Sequence, residues 1–204
     1  LDFYAPQTTK LPDGRRILIA WMKSWDACVI PDGQKWQGMM TLPRELSLCE
    51  TEEGYRLKTK PFGIDEYRAG AFPIGNQKPL LTESFGLLVQ GNFGRIALKN
   101  SRGEEVVIEV TVDSITVDRS KSGDLSYFDD VDPKLFKKED LLVSTTKRYM
   151  RGNVNMEIIF DVSYLEIYAD GGLETASVCV YPDAPYQVVS TDGDLEVKMY
   201  TIKK

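Results

Sequence analysis

The sequence predicts an all-β protein, most of which is an antiparallel β-sandwich. Three observations support this fold class. Apolar and polar residues alternate at the period of a strand in several segments, turn-forming Gly, Asn and Asp residues separate those segments, and only one short stretch carries helix signals. Many short strands with one apolar face are typical of two antiparallel sheets packed face to face. The region from about residue 66 onward fits this architecture.

The clearest strands form predicted hairpins. The segment EEVVIEVTVDSITVDRS turns at Asp113–Ser114, and NVNMEIIFDVSYLEIYADGG turns between Asp161 and Ser163. The C-terminal segment LEVKMYTIKK alternates again. The apolar faces of these three segments carry, in turn, Val106, Ile108, Val110 and Val112; Met156, Ile158 and Phe160; and Leu195, Val197 and Met199. The one helix-like stretch is DPKLFKKEDLL, where Asp132 is placed to cap a helix that begins at Pro133.

The first sixty residues have a different pattern. RILIAWM is a continuous apolar run, as expected of a strand covered on both faces, and MMTLPREL is a second apolar segment interrupted by Pro43. We therefore predict two units, residues 1–62 and residues 63–204, joined near Lys60 to Ile64. The chain also opens inside an aromatic-rich strand, LDFYAPQ, which predicts that it is the downstream part of a longer protein.

Composition limits the possible partners and the possible chemistry. The formal net charge is −6, and no run of Lys or Arg forms the basic stripe that binds a nucleic-acid backbone, so we expect no nucleic-acid partner. No apolar run reaches the length that spans a bilayer, so we expect no membrane partner. The sequence contains no histidine, which excludes Ser-His-Asp and Cys-His nucleophiles and imidazole metal ligands.

The three cysteines are Cys28, Cys49 and Cys179. Their odd number and wide spacing favour free thiols over a disulfide framework or a zinc site. Free thiols are typical of a reducing compartment, so we expect a cytoplasmic protein. Secretion stays open as an alternative, because the protein is expected to continue upstream of Leu1, where a leader would lie.

Several segments resemble glycoside hydrolase family 32, the family of invertases, sucrose-6-phosphate hydrolases, levanases and inulinases. DFYAPQ, GRRILIAWMKSW and WQGMMTLPREL follow in the order and spacing of the closing part of that family's five-bladed β-propeller. VDRSKSGD and FDVSYLEIYADGGLETASVCVYPD resemble elements of its C-terminal β-sandwich. The resemblance implies an antiparallel β-sandwich preceded by a remnant of the last blade of a β-propeller. Tyr164, the turn DGGLE and Val178 depart from the family pattern.

The resemblance also implies an activity, the hydrolysis of sucrose, sucrose 6-phosphate or fructans by a β-fructofuranosidase without a metal or organic cofactor. Similar enzymes use an Asp nucleophile in N-D-P-N-G, a Glu acid/base in E-C and a supporting Asp in R-D-P, and none of these motifs occurs here. Retaining glycosidases need two carboxyl groups about 5 Å apart in one cavity. The segment LCE at Leu48–Glu50 has the wrong order. We therefore expect no catalytic residue in this chain and no activity from it alone.

The same resemblance implies that Trp25 forms an aromatic wall beside the fructosyl unit of the substrate, with a place in the core as the alternative. Trp21 lies inside the apolar run and is predicted to belong to the core. An indole face covers the C–H surface of a sugar while its N–H finds an acceptor. Asp2 either lies near the leaving-group side of the pocket, where it accepts sugar hydroxyls, or is an exposed or capping residue. Tyr4 either lines the same wall or packs in the core.

Other polar and aromatic residues are expected to be structural. Trp36 is interpreted as a packing anchor between blade and sandwich, Arg44 and Glu45 as a polar pair, and DRSKSG as an exposed turn. A second class of function stays open, in which the chain is a non-catalytic module with a structural or carbohydrate-binding role. A blade separated from its propeller exposes strand edges and apolar faces, so we also expect self-association.

Overall fold

The structure, a computed structural model, describes residues 2–22, 38–74, 78–79, 82–129, 131–134 and 136–203, with only the backbone described at 78–79. This described part consists mainly of antiparallel β-strands in three sheets, which confirms the predicted fold class. The strands are β1 (Tyr4–Lys10), β2 (Arg16–Met22), β3 (Met39–Met40), β4 (Arg44–Thr51), β5 (Gly54–Pro61), β6 (Arg68–Pro73), β7 (Lys78–Pro79), β8 (Ser84–Gly91), β9 (Gly94–Lys99), β10 (Glu105–Val110), β11 (Ser114–Lys121), β12 (Val143–Lys147), β13 (Val154–Asp161), β14 (Tyr164–Ala169), β15 (Glu174–Cys179), β16 (Val188–Gly193) and β17 (Glu196–Ile202).

Sheet I contains the first five strands, in the order β1-β2-β4-β5, with β3 paired to β2. Successive residues Ile17 and Leu18 of β2 are both buried, which confirms that this strand is covered on its two faces. The edge strand β1 is exposed along its whole length. Four antiparallel strands in this consecutive order are the arrangement of a propeller blade.

Two further sheets form the sandwich. Sheet II has the order β15-β14-β13-β8-β17-β6, and sheet III has the order β12-β11-β10-β9-β16-β7. Their inner faces share one apolar core, in which Phe85, Leu87 and Ile158 of sheet II and Ile96 and Leu98 of sheet III are fully buried. Burying each side chain of this kind contributes about 1.5–3 kcal/mol, so the sandwich has the core that its alternating strands predict.

The predicted hairpins are confirmed with one local correction. Strands β10 and β11 pair with each other, as do β13 and β14, and β17 lies between β6 and β8. Val112 does not share the buried face of β10, since it is 48% exposed. The reason is that β10 ends at Val110 and the chain already turns there, with the Thr111 amide donating to the Ser114 carbonyl at 2.9 Å.

The predicted helix is shorter than expected and begins later. Helix α1 spans Lys138–Leu142, and single 3₁₀ turns lie at Asp65–Tyr67 and Ser126–Phe128. Asp132 does not cap a helix at Pro133, because its Oδ1 accepts the Lys134 amide at 2.9 Å in a local turn. Such side-chain turns compete with helix formation. No helix among the described residues combines the length and apolarity needed to cross a bilayer.

The chain passes from sheet I to the sandwich between the end of β5 at Pro61 and the start of β6 at Arg68. Sheet I then packs against the β14 and β15 side of sheet II. A small apolar cluster of Ile64, Ile159 and Tyr168, with Leu42 beside it, lies at this contact. The contact between sheet I and the sandwich is called the junction below.

Candidate functional site

The aromatic residues predicted near the sugar lie at one end of sheet I. Tyr4 begins β1 and pairs in register with Trp21 near the end of β2, and their rings meet edge to face with centroids 6.4 Å apart. Tyr4 is 41% exposed, so it is not a core residue of this chain, and Trp21 is half-buried. Trp25 and Trp36 lie outside the described residues, so the roles given to them remain predictions.

The backbone directly after Tyr4 is strained. Ala5 has a φ of +48°, in the left-handed region that favours glycine, and the register of β1 against β2 shifts between Tyr4 and Gln7. A non-glycine residue in this conformation costs about 1–3 kcal/mol and persists only where the surrounding structure fixes it. The start of β1 must therefore be held by contacts other than its own ladder.

Asp2 supplies such a contact, because the sandwich binds its amide and both of its carboxylate oxygens. Its amide donates to the Ser177 carbonyl at 3.0 Å, and its Oδ2 accepts the Cys179 amide at 2.7 Å and forms an ion pair with Arg119. Its Oδ1 accepts from Arg119 Nη2 at 3.3 Å. Asp2 is 3% exposed, so the alternative of an exposed or capping residue is wrong. Its contact with a sugar remains a prediction, and the described contacts give it a structural role.

Arg119 corrects the expectation that DRSKSG is an exposed turn. The side chain is 1% exposed and lies on β11 in phase with the buried residues Ile115 and Val117. Its Nε donates to the Leu141 carbonyl at 2.9 Å, and its guanidinium lies 4.7 Å from the centre of the Phe128 ring. Burial opposes the charge on this guanidinium, but the Asp2 carboxylate, together with the nearby Tyr127 and Cys179 side chains, outweighs burial and raises the pKa of Arg119. The alternation of β11 was the signal in the sequence for this burial.

Arg44 makes the second contact across the junction. Its Nη2 lies 2.9 Å from Glu166 Oε2 and donates to Ser177 Oγ at 2.6 Å, and Glu166 Oε1 accepts the Leu42 amide at 2.6 Å. Arg44 therefore has the structural role predicted for it, but its partner is Glu166 rather than Glu45. Adjacent residues of a strand point to opposite faces, so Glu45 cannot share the environment of Arg44 and instead lies 3.8 Å from Arg15.

Two aromatic rings enclose the Arg44 guanidinium. The ring centres of Phe3, from the blade, and Tyr168, from the sandwich, each lie 5.2 Å from its central carbon. The Tyr168 hydroxyl donates to Glu166, and burial together with the Glu166 charge raises the pKa of that phenol. Cation–π contacts of this kind strengthen when they are shielded from water. Arg44 thus binds the first residues of the blade to β14 of the sandwich.

A third contact joins the turn before β15 to β5. The Thr59 amide donates to the Gly172 carbonyl at 2.8 Å. Gly172 has a φ of +93°, and a Cβ at this position would lie 2.7 Å from the Thr59 carbonyl carbon and clash with its oxygen. Only glycine permits both this conformation and this approach. The DGGLE turn, which departs from the family pattern, is therefore well suited to the junction.

A cleft of about 450 Å³ opens beside these contacts. It lies between the blade and the edge strands β12 and β15, and its lining includes Phe3, Leu57, Thr59, Ser144, Thr175 and Ser177. Among its described lining residues there is no carboxyl group, so these residues offer no carboxylate for general acid or base catalysis. The described residues also contain no group of three or more His, Cys, Asp or Glu placed to bind a metal ion.

The blade motifs and the sandwich motifs meet at this junction. DFYAPQ contacts VDRSKSGD through Asp2 and Arg119, and TLPREL contacts DVSYLEIY through Arg44 and Glu166. The fold and these contacts define a protein in which a propeller-type blade is fixed to a β-sandwich by buried ion pairs. Sequence analysis found the motifs but missed their partners, which lie more than a hundred residues apart in the chain.

Comparison with known proteins identifies the family. The model of the glycosyl hydrolases family 32 N-terminal domain matches residues 1–61, and the model of the family 32 C-terminal domain matches residues 77–204. The chain therefore belongs to glycosyl hydrolase family 32.

Individual relatives agree with this assignment. The sucrose-6-phosphate hydrolase of Vibrio alginolyticus is 27% identical over 206 residues, which cover 99% of this chain and 39% of that protein. The solved sucrose-6-phosphate hydrolase of Lactobacillus gasseri has a TM-score of 0.79 at 21% identity, covering 99% of this chain and 41% of the other. A Bombyx mori β-fructofuranosidase variant solved in complex with sucrose has a TM-score of 0.72 at 22% identity, covering 100% of this chain and 41% of the other. The chain thus spans about two fifths of the length of these relatives.

Proposed function

We propose that this chain is the C-terminal part of a retaining β-fructofuranosidase that hydrolyses sucrose, sucrose 6-phosphate or fructans. The observation that carries the proposal is the match of both family 32 domains, in order, to one chain whose blade and sandwich share a buried junction. The relatives with which it aligns include sucrose-6-phosphate hydrolases and a β-fructofuranosidase bound to sucrose. An upstream Asp would take the fructosyl unit as the rest of the substrate leaves, protonated by an upstream Glu, and water would then cleave this covalent intermediate and release fructose.

We further propose that this chain alone does not cleave fructosides. The motifs that supply the nucleophile and the acid/base in similar enzymes do not occur in its sequence. The cleft beside the junction offers apolar and hydroxyl groups from its described lining but no carboxyl pair. Its contribution to the whole enzyme is then the aromatic end of sheet I, where Tyr4 meets Trp21, together with the predicted sugar wall at Trp25.

The test begins with the coding sequence upstream of Leu1. We expect it to encode N-D-P-N-G, R-D-P and E-C in frame, and we expect the whole protein to release fructose from at least one of sucrose, sucrose 6-phosphate, inulin and levan. The chain of 204 residues should release none under the same conditions. A start codon directly before Leu1, or an inactive whole protein with all three motifs intact, would contradict the proposal.

The predicted sugar wall is tested in the whole protein. Trp25→Ala should lower kcat/KM by about 10- to 100-fold, the loss expected when a buried aromatic contact worth about 1.4–2.8 kcal/mol is removed. Trp36→Ala, at a position interpreted as packing, is the matched control and should retain activity at a temperature where both variants are folded. Equal losses in the two variants would mean that Trp25 is a core residue.

The alternative is a non-catalytic module with either a structural or a carbohydrate-binding role. Of these two roles, the junction favours the structural one. The buried ion pairs show contacts that a scaffold needs, whereas exposed aromatic side chains of the sandwich are dispersed, as with Phe93 and Tyr67. A pull-down on insoluble inulin or levan separates the two forms. Retention of the chain on either polymer would support a carbohydrate-binding module, and its absence would support a scaffold.

We also propose that the isolated chain self-associates. Sheet I carries exposed apolar side chains on the β4–β5 hairpin, with Leu48 at 72% exposure, Tyr55 at 68% and Leu57 at 50%. Its edge strand β1 is exposed throughout. Exposed apolar faces and free strand edges promote pairing between copies. Light scattering coupled to size-exclusion chromatography should give a mass above one chain, and a sharp monomer peak would contradict this expectation.

A further inference from the structure

We propose that Arg119 of the sandwich is a positioning residue for the substrate pocket of the blade, acting through Asp2. This inference rests on the proposed function, because it concerns how that pocket is held. It gives the sandwich a role in catalysis that is separate from a general contribution to stability.

Arg119 is itself held in place by the sandwich. Its Nε and Nη1 donate to the backbone carbonyls of Leu141 and Cys179 at 2.9 and 3.1 Å, and its planar group packs on Phe128. All three of these partners belong to the sandwich. The guanidinium is 1% exposed, so it presents its remaining donors to Asp2 from a rigid position.

The end of β15 binds next to both Tyr4 of β1 and Trp21 of β2. Ser177 and Cys179 bind the backbone and carboxylate of Asp2, two residues before Tyr4. The Cys179 thiol donates to the Met22 carbonyl at 3.3 Å, one residue after Trp21. Tyr4 and Trp21 are partners in register between these two anchors, so the sandwich sets the place where their rings meet.

The position of Tyr4 depends on these anchors, because the backbone beside it is strained. Ala5, next to Tyr4, has a positive φ, and the β1 ladder is interrupted there by the register shift. Released from Asp2, the first residues of β1 could relax to an unstrained conformation and carry Tyr4 with them. A displacement of about 1 Å in a substrate-positioning group costs about 100-fold in rate.

The structure provides a matched control within the sandwich. Arg148 and Asp170 form a buried pair of the same residue types, with Nε and Oδ2 2.9 Å apart and side-chain exposures of 0% and 3%. The corresponding exposures for Arg119 and Asp2 are 1% and 4%. The two pairs have similar burial, and only the Arg119–Asp2 pair itself joins the sandwich to the blade.

The first experiment uses the chain itself and needs no activity. All three tryptophans, Trp21, Trp25 and Trp36, fall within residues 1–61, which match the family 32 N-terminal domain. Tryptophan fluorescence therefore reports that domain, while far-ultraviolet circular dichroism reports mainly the sandwich. In urea, Arg119→Lys and Asp2→Asn should move the fluorescence transition to lower denaturant than the dichroism transition. Arg148→Lys should move the two transitions together. Coincident transitions in the Arg119 and Asp2 variants would overturn the anchoring.

The second experiment measures fructose release from sucrose by the whole protein, at a temperature where every variant is folded. Arg119→Lys should lower kcat by about 10- to 100-fold with a smaller rise in KM, whereas Arg148→Lys should leave kcat within about twofold. Unchanged kcat in Arg119→Lys beside an active wild type would overturn the positioning role and leave the proposed function intact. A wild type that cleaves no fructoside would overturn the proposed function, while the urea experiment would still decide the anchoring.

Discussion

Arg44 of the blade and Glu166 of the sandwich form an ion pair, 2.9 Å between Nη2 and Oε2, in which the two side chains are 3% and 0% exposed. Glu166 also accepts the Leu42 amide and the Tyr168 hydroxyl, so its charge is shared by three donors. A charge buried in this way is tolerated only with its partners in place. The junction is therefore stable when all of these groups are present, and removing any one of them should lower the free energy of unfolding.

Glu166→Gln should lower the free energy of unfolding by about 3–5 kcal/mol, because it leaves the Arg44 guanidinium buried without a counter-charge. Urea unfolding followed by fluorescence and circular dichroism measures the loss. Glu45→Gln is the control, since its carboxylate is 39% exposed and 3.8 Å from Arg15, and should cost less than about 0.5 kcal/mol. Similar losses in the two variants would show that the junction pair contributes little.

Gly172→Ala should destabilise the protein far more than Gly152→Ala. The two glycines have the same φ of +93°, but a Cβ at Gly172 would clash with the Thr59 backbone, whereas a Cβ at Gly152 meets nothing within 4 Å. Backbone strain alone costs about 1–3 kcal/mol, and we expect Gly172→Ala to exceed Gly152→Ala by at least about 2 kcal/mol. Thermal unfolding of the two variants gives the comparison. Equal costs would mean that β5 moves freely away from the turn.

Glu174 should make the protein less stable as the pH rises from about 4.5 to about 7. Burial, aided by the charge of Asp170, raises the pKa of this carboxyl to about 7, and its Oε2 has no hydrogen-bond partner among the described residues. The folded state therefore holds a proton that the unfolded chain releases above about 4.5, so the free energy of unfolding falls across this window and levels off above it. Glu174→Gln should remove the fall.

The measurement for Glu174 is urea unfolding at pH 5 and at pH 8. The wild type should lose about 1–3 kcal/mol more than Glu174→Gln between the two values. Glu196→Gln, at an exposed position of β17, serves as the control and should follow the wild type. A wild type whose stability rises across this window in parallel with Glu174→Gln would contradict the raised pKa.

Cys179 should be unreactive in the folded protein. Its side chain is buried, and burial raises the pKa of its thiol well above the usual value. The thiol also donates a hydrogen bond to the Met22 carbonyl. In a Cys28→Ser background, a disulfide reagent should titrate the half-buried Cys49 quickly and Cys179 only after unfolding. Because Cys179 lies at the junction, Arg119→Lys should speed its reaction. Rapid labelling of both thiols in the native protein would show that the junction opens readily.

The strands could be predicted because each one is identified by the residues within its own segment of the sequence. Apolar residues at every second position mark the buried face of a strand. This rule predicts that Val106, Ile108, Met156 and Ile158 lie in the core, as they do. The same rule, applied to Arg119 in phase with Ile115 and Val117, would have placed it inside as well. The prediction of an exposed turn at DRSKSG treats this segment as a hairpin connection instead. Charged residues are rarely buried without a partner, and the partner of Arg119 is distant in the sequence.

The sequence by itself determined the class of fold, the family and the segments from which the site is built. Only the tertiary structure decided which charges are paired, since Asp2 and Arg119 are separated by 117 residues and Arg44 and Glu166 by 122. The alternation of apolar and polar residues predicts which face of a strand is buried, but it does not predict which residue of another sheet that face contacts. Burying a charge is costly enough that its partner must be supplied by the fold, and the meeting of blade and sandwich supplies it here.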